Sequence, residues 1–212
     1  MSTKAWNRKK GKRAGRSVNT RCSREKILIL CEGEETEPNY FNSFPLDEEK
    51  VEVTSIGKGY NSESLVREAI RIKKTAAKKG IQYNQVWCVF DRDDFSKQQI
   101  NNAHQLGREN KIEIAFSNEA FELWYVLHFN YHNSVSTRHD YCRILNDILK
   151  NELGSRKYKK NDKEIYSLLS ERQSIAIKNA KRLRSEFAQL GPYDSNPSTS
   201  VFRLVEKLNE YL

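Results

Sequence analysis

The sequence predicts an α/β fold: a mostly parallel four-stranded central sheet flanked by helices, followed by a C-terminal helical extension. Two observations predict it. Lys26–Cys31 (KILILC) and Gln85–Phe90 (QVWCVF) are short continuous apolar runs, the pattern of strands buried on both faces. Around them, segments of helical apolar spacing alternate with further strand candidates, the β-α-β-α order that leads to parallel pairing.

The elements follow in order. The first run ends at Glu32-Gly33, and Glu37 to Phe44 can open a short helix with Thr36 as N-cap and Pro38 at the first helical position. Val51–Ile56 alternates through Glu52 and Thr54 as a second strand, after which Gly57, Gly59 and Asn61 turn the chain. Ser62–Lys79 places Leu65, Val66, Ala69, Ile70, Ile72 and Ala76 at helical spacing and closes at Gly80. The second apolar run is followed at once by Asp91-Arg92-Asp93-Asp94. Ser96 can cap a helix over Ile100, Ala103 and Leu106, Ile112–Phe116 reads as the fourth strand, and Glu119–Phe129 (EAFELWYVLHF) reads as an apolar helix. From Asp140 onward the pattern is all-helical. Tyr141–Leu153 ends at Gly154, a basic loop covers Ser155–Lys163, and a helix from Glu164 runs toward Leu190 with a break near Glu171. Gly191–Ser200 turns, and Ser198–Leu212 is a last amphipathic helix. The expected organisation is a basic arm over 1–24, an α/β core over 25–139, and a helical extension over 140–212 packed on it.

Composition narrows the function classes. No apolar stretch approaches the roughly 20 residues that span a bilayer, and none lies between the N-terminal basic residues and the first strand, so neither a membrane span nor a secretory signal is expected. Cys22, Cys31, Cys88 and Cys142 are scattered without a CxxC pair, which fits a reduced cytoplasmic protein. The net charge of +9 is uneven: residues 1–24 carry nine Lys or Arg and no acid, leaving 28 basic residues to balance 28 acids. The arm suits either solvation or attraction to a phosphate backbone. The high pI therefore does not make the folded part a nucleic-acid surface.

In an open parallel sheet, ligands bind beyond the carboxyl ends of the strands. Glu32 follows the first strand there, and Asp91 and Asp93 follow the third. On an extended segment, residues i and i+2 point the same way, so Asp91 and Asp93 can share a cation while Arg92 points elsewhere. Mg²⁺ favours one or two carboxylates completed by water and substrate phosphate, and clustered acids repel one another unless a cation is present. Gly33 lets the backbone pass close to a ligand.

Three blocks carry a family resemblance: Cys31-Glu32-Gly33-Glu34-Glu35-Thr36-Glu37-Pro38-Asn39-Tyr40-Phe41, then Val89-Phe90-Asp91-Arg92-Asp93, then Asn118-Glu119-Ala120-Phe121-Glu122-Leu123-Trp124 with His128-Phe129. Over about 24–212 the chain resembles the RloB family, Toprim-like proteins found near restriction and anti-phage genes. The resemblance implies a Toprim fold, dependence on Mg²⁺ or Mn²⁺, and an ATPase partner of the RloA or overcoming-lysogenization-defect type. Carried over residue by residue, it implies Glu32 as general acid/base or metal ligand, and Asp91 and Asp93 as ligands. The related nucleases place a second acid four residues after the first. Thr36 stands there, flanked by Glu35 and Glu37, of which Glu37 is the candidate. Ser117-Asn118-Glu119 matches their S-x-E and implies Glu119. Their catalytic lysine has no clear match; Lys178 or Lys181 is the candidate.

Weaker signals are set aside. His128 and His132 have zinc-ligand spacing without a third ligand, so His128 reads as a packing residue. Gly57-Lys58-Gly59 is too short for a phosphate loop, and Trp87 and Trp124 read as core. Arg156, Lys157, Lys159 and Lys160 around Tyr158 suit either backbone contact with base stacking or plain solvation. The expected activity is phosphodiester cleavage of DNA or RNA, tRNA included, in anti-phage defence. The expected partners are nucleic acid, the ATPase and a second copy of the chain. The competing reading is a non-catalytic adaptor. Phosphoryl transfer of the haloacid-dehalogenase kind is disfavoured, because it wants its DxD on the first strand.

Overall fold

The computed structural model describes residues 24–154 and 157–212. Of the arm read at 1–24 only Arg24 is among them, and Ser155 and Arg156 of the basic loop also lie outside the described residues.

The chain forms an α/β structure around one mostly parallel sheet. Strands β1 (Glu25–Cys31), β2 (Val51–Gly57), β3 (Gln85–Asp91) and β4 (Glu113–Asn118) are parallel; a fifth, β5 (Ser198–Thr199), joins antiparallel, and the order is β2-β1-β3-β4-β5. The four-strand expectation is thus one short. Ser198 and Thr199, read as the start of the last helix, instead pair with Asn118 and Ser117. The register of two residue pairs is too short to show a period of two in sequence.

Both faces of the sheet are covered, which is why its strands read as continuous apolar runs. Ile27, Ile29 and Cys31 of β1 face one apolar cluster with Trp87 and Val89, while Leu28 and Leu30 face the other with Val86, Cys88 and Phe90. The second cluster is closed by α2 (Ser62–Lys78) and α3 (Lys97–Asn110) through Leu65, Val66, Ala69, Ile100 and Ala103. The first is closed by α1 (Thr36–Asn42), α4 (Glu122–Val126), α5 (Arg138–Leu153), α6 (Ile165–Leu169), α7 (Gln173–Glu186) and α8 (Val201–Asn209). The C-terminal helices share this cluster with the strands: Leu145, Leu183 and Leu204 pack in it together with Ile29 and Trp124.

Local chemistry sets most of the boundaries. Ser96 and Gln99 form a reciprocal capping box at α3, and the Asn61 side chain accepts from Ser64 N–H at α2. The helix read at 164–190 is interrupted by a 3-10 turn at Ser170–Arg172, which contains the expected break at Glu171. Two readings change. The EAFELWYVLHF segment keeps only a five-residue helix, and α5 starts at Arg138 because Thr137 and Asp140 form a capping box upstream of the apolar periodicity. Among the described residues, no helix is long and apolar enough to cross a membrane.

The strand order fixes where a ligand can sit. From β1 the chain moves outward to β2, then returns past β1 to place β3 on its other side and continues to β4. The direction of winding reverses between β1 and β3, and the crevice beyond their carboxyl ends is the switch point of the sheet.

Candidate functional site

β1 runs directly into Glu32 and β3 ends on Asp91. Because the two strands are neighbours, the sheet sets these acids side by side, and the backbone N–H of Asp91 donates to Glu32 Oε2 at 3.1 Å. The Glu32 main chain is held on both flanks: its N–H donates to Val89 O at 2.9 Å, and its carbonyl accepts from Gly59 N–H at 2.9 Å. The loop after it passes so close to the end of β2 that a Cβ on Gly57 would lie 2.6 Å from the Gly33 carbonyl oxygen. A Cβ on Gly33 would lie 2.0 Å from Glu37 Oε2. Gly33 therefore leaves the space into which the Glu37 carboxylate folds back, facing the backbone amides of Gly33 and Glu37.

Asp93 reaches the site by a route other than strand alternation. β3 stops at Asp91, and Asp93 has a left-handed backbone (φ 40°) in the following turn. That turn brings both acids onto the Arg138 guanidinium, which lies 3.2 Å from Asp91 Oδ2 and also contacts Asp93 Oδ1. The cation shared by the pair here is Arg138. Arg92 does point elsewhere, stacking over the Tyr193 ring with 4.5 Å to its centroid.

The result is a cleft of about 210 Å³ lined by Glu32, Glu37, Asp91, Asp93, Glu122, Arg138 and Lys160, with Gly33, Thr36 and Phe121 completing it. Asp91 is 6% exposed, Glu37 5% and Glu122 3%. Burial, followed by the nearby Asp93 and Glu37 charges, pushes the Glu32 carboxyl up to about 7 against its bond from Asp91 N–H. Glu37 is likewise pushed up to about 7, by burial and then by Glu122. Burial, with Glu37 and Glu122 nearby, raises Asp91 well above the usual carboxylate range, and Arg138 opposes the rise. Glu32 and Glu37 are thus held close to proton exchange at neutral pH, a common arrangement in working sites.

Three charged lining residues are not assigned to this site by the sequence. Glu122 had a signal: it is flanked by apolar residues on both sides in Ala120–Leu127, and a buried carboxylate needs a partner. The Tyr158 hydroxyl is that partner, donating to Glu122 Oε1 at 3.1 Å. Tyr158 is thereby turned inward, against Tyr125, and is not offered to solvent for base stacking. Lys160 enters because its carbonyl accepts from Thr36 Oγ1 at 2.8 Å, which pins the basic loop over the start of α1. Thr36 is then the first residue of α1 and not its cap. Arg138 enters through the capping box that starts α5 early.

Two predicted site residues lie elsewhere. Glu119 does not line the cleft and sits where its charge acts on Tyr141; Glu122, three residues on, faces inward instead. Lys181 pairs with Glu206 at 2.6 Å, and Lys178 is also exposed, because α7 turns Ala176, Ala180 and Leu183 into the core and its lysines outward. His128 is a packing residue: it is fully buried, its Nδ1 meets Trp124 O at 2.8 Å, and burial pushes the ring down to about 4.

Carboxylate oxygens are the donors that Mg²⁺ and Mn²⁺ prefer, and Asp91 Oδ1 is buried with no hydrogen-bond partner. In donor type the cleft therefore fits a hard divalent cation. In this conformation the Arg138 guanidinium lies between Asp91 and Asp93, and no three His, Cys, Asp or Glu side chains among the described residues are arranged around one point as ligands.

A family model described as RloB-like protein matches residues 27–208. The chain belongs to the RloB-like family. The match spans every strand and helix that builds the cleft of this RloB-like protein, except the first two residues of β1 and the last of α8. No curated protein matches the chain.

Proposed function

We propose that this RloB-like protein is a metal-dependent nuclease of Toprim type, cleaving phosphodiester bonds of DNA or RNA, tRNA included, in anti-phage defence. One observation carries the reading: buried Asp91, with an unpartnered oxygen, sits at the sheet's switch point among four further carboxylates and two cations. Glu32, Asp91 and Asp93 would hold Mg²⁺ or Mn²⁺, with Glu37 and Glu122 beside them. A bound ion of this kind polarises a phosphoryl oxygen and favours attack by water. Glu32 would serve as ligand or as the acid/base for that water; in the metal-free cleft burial pushes its carboxyl up to about 7, and a bound cation lowers it again. Lys160, and Arg138 once displaced from the acid pair, supply positive charge for the phosphate. An ATPase of the RloA type is the proposed partner, with nucleic acid as substrate; the protein would act in the cytoplasm, as a monomer or a homodimer.

The test is sequencing of RNA and DNA ends from cells expressing the wild type beside Glu32→Gln. New ends that depend on Glu32 support the reading. Identical ends in both, together with inactivity of the purified protein on DNA and RNA with Mg²⁺ or Mn²⁺ and the ATPase partner, sink it.

The position of Arg138 favours a second reading, a non-catalytic adaptor whose acids are structural and already neutralised. Calorimetry showing salt-sensitive nucleic-acid binding with no uptake of Mg²⁺ or Mn²⁺ would select it.

A further inference from the structure

β5 covers only the end of β4, pairing with Ser117 and Asn118. Just upstream, Ser200 seals one step of the edge: its N–H donates to Phe116 O and its Oγ accepts from Phe116 N–H, both at 2.8 Å. Beside the remainder of β4 a cavity of about 600 Å³ opens between the C-terminal turn of α3 and the N-terminal turn of α8. This volume lies within the roughly 300–1,000 Å³ of small-molecule sites.

The lining combines an apolar part with an excess of positive charge. Ile112, Ile114, Phe116 and Phe202 supply the apolar part, and His104 stands edge-on to Phe116 with ring centroids 5.5 Å apart. Arg108, Lys111, Arg184 and Arg203 line the same space with Glu113 as the single carboxylate. Arg203 pairs with Glu113 at 2.6 Å, and Arg184 donates to Ser195 Oγ at 3.0 Å. For Arg108 and Lys111 no ion pair is found among the described residues. His104 Nε2 is buried with no hydrogen-bond partner. The positive field is felt at that ring, whose pKa is pushed down to about 4 by burial and then by Arg108, Arg184 and Arg203. Unpaired guanidinium and ammonium groups beside aromatic and aliphatic walls, with an imidazole lacking a partner, match an anion that has a flat, hydrogen-bonding body. Guanidinium groups recognise phosphate oxygens in pairs.

We propose that this cavity is a second ligand site, for a nucleoside phosphate, with the phosphate on Arg108, Lys111 and Arg184 and the base against Phe116, Phe202 and His104. The chemistry is shared by a free nucleotide and by the phosphorylated end of a polynucleotide. The site is distinct from the acidic cleft and does not depend on the cleavage reading.

The full chain is titrated calorimetrically at low salt with AMP, ATP, adenosine, inorganic phosphate and a 5′-phosphorylated dinucleotide. A double variant, Arg108→Gln with Lys111→Asn, removes the two unpaired cations at exposed positions; Asn tolerates the left-handed backbone at 111 (φ 54°). Exposed Arg203→Gln is the independent second variant. The expected result is binding of a phosphorylated nucleoside well above that of adenosine or phosphate, weakened about tenfold or more in the double variant at unchanged circular dichroism. Tightest binding of AMP or ATP assigns the site to a free nucleotide, and tightest binding of the dinucleotide assigns it to a chain end. The proposal is overturned by any of three results: no nucleotide binding, wild-type affinity in both the double variant and Arg203→Gln, or phosphate binding as tightly as AMP. Binding lost in Glu32→Gln and kept in the double variant would place the nucleotide in the acidic cleft and overturn it too. Cleavage failing in every assay leaves this titration unaffected.

Discussion

Arg138 lies 3.2 Å from Asp91 and also contacts Asp93, so the first turn of α5 closes onto the end of β3. A cation in the first turn of a helix opposes the helix dipole. It is held there by two acids that would otherwise repel each other.

Replacing Arg138 by Gln therefore removes the counter-charge of a buried carboxylate. The expected loss of stability is about 1–2 kcal/mol; the larger figures for fully buried pairs are reduced because Arg138 is about one-third exposed. If the cleft is a cation site, Mg²⁺ or Mn²⁺ raises the melting temperature of Arg138→Gln by more than it raises that of the wild type. Equal shifts, measured by thermal denaturation with and without the ion, would falsify the competition between Arg138 and the metal.

The raised carboxyls of Glu32 and Glu37 give stability a pH dependence of definite sign. Each carboxyl is pushed up to about 7 in the fold from an ordinary value of 4.5, so between these values the folded state holds more protons than the unfolded chain. Stability without divalent ions therefore falls as pH rises from about 4.5 to 7 and levels off above that. Glu37→Gln cannot ionise, so its melting temperature exceeds that of the wild type at pH 8, while at pH 4.5 the two converge. A wild type whose metal-free melting temperature rises across this window would show that these acids ionise without penalty.

How much of this was legible in the sequence depends on the kind of signal each residue carries. Glu32 and Asp91 follow apolar runs, and a run buried on both faces announces both the strand and its end, so their place at the carboxyl edge could be read directly. Glu37 was reached through resemblance; the geometric reason for it is Gly33, which makes room for its side chain. Asp93 was expected from the right residue by the wrong route, since a left-handed turn, invisible to a period-two argument, brings it round. Glu119 came from a motif match, which counts positions along the chain, whereas the short helix α4 turns Glu122 inward. Lys160 and Arg138 come from segments remote in sequence and are placed by tertiary contacts alone. The fifth strand was missed for a similar reason: two residues paired at the sheet edge have no periodicity to detect.

Tyr158 separates two roles for the basic loop. Its hydroxyl serves Glu122, so Tyr158→Phe should lower stability by about 1 kcal/mol by depriving a buried carboxylate of its donor. Its ring is turned into the protein, so affinity for single-stranded oligonucleotides should stay within about twofold of wild type, well short of the loss expected for a stacking platform. A large loss of oligonucleotide affinity at unchanged stability, in fluorescence anisotropy beside thermal melts, would return Tyr158 to the role of stacking residue.

The lysines decide which part of the molecule completes the cleft. Lys160 lines it, on a loop tied to Thr36 through its carbonyl, so a side-chain change there keeps the tether. Lys181 is engaged with Glu206 on the outer face of α7. If the cleft cleaves phosphodiesters, Lys160→Ala should slow cleavage about 10²-fold, the scale for removing one charge that stabilises a transition state. It should also lower the slope of affinity against salt by about one ion. Lys181→Ala should leave rate and salt slope within error and cost only what an exposed ion pair contributes, about 0.2–1 kcal/mol. Single-turnover rates on an end-labelled substrate, taken with binding at several salt concentrations, compare the two variants directly. A strong defect in Lys181→Ala with little effect in Lys160→Ala would require α7 to turn over and present its lysine to the acids. The packing of Ala176, Ala180 and Leu183 in the core opposes that movement.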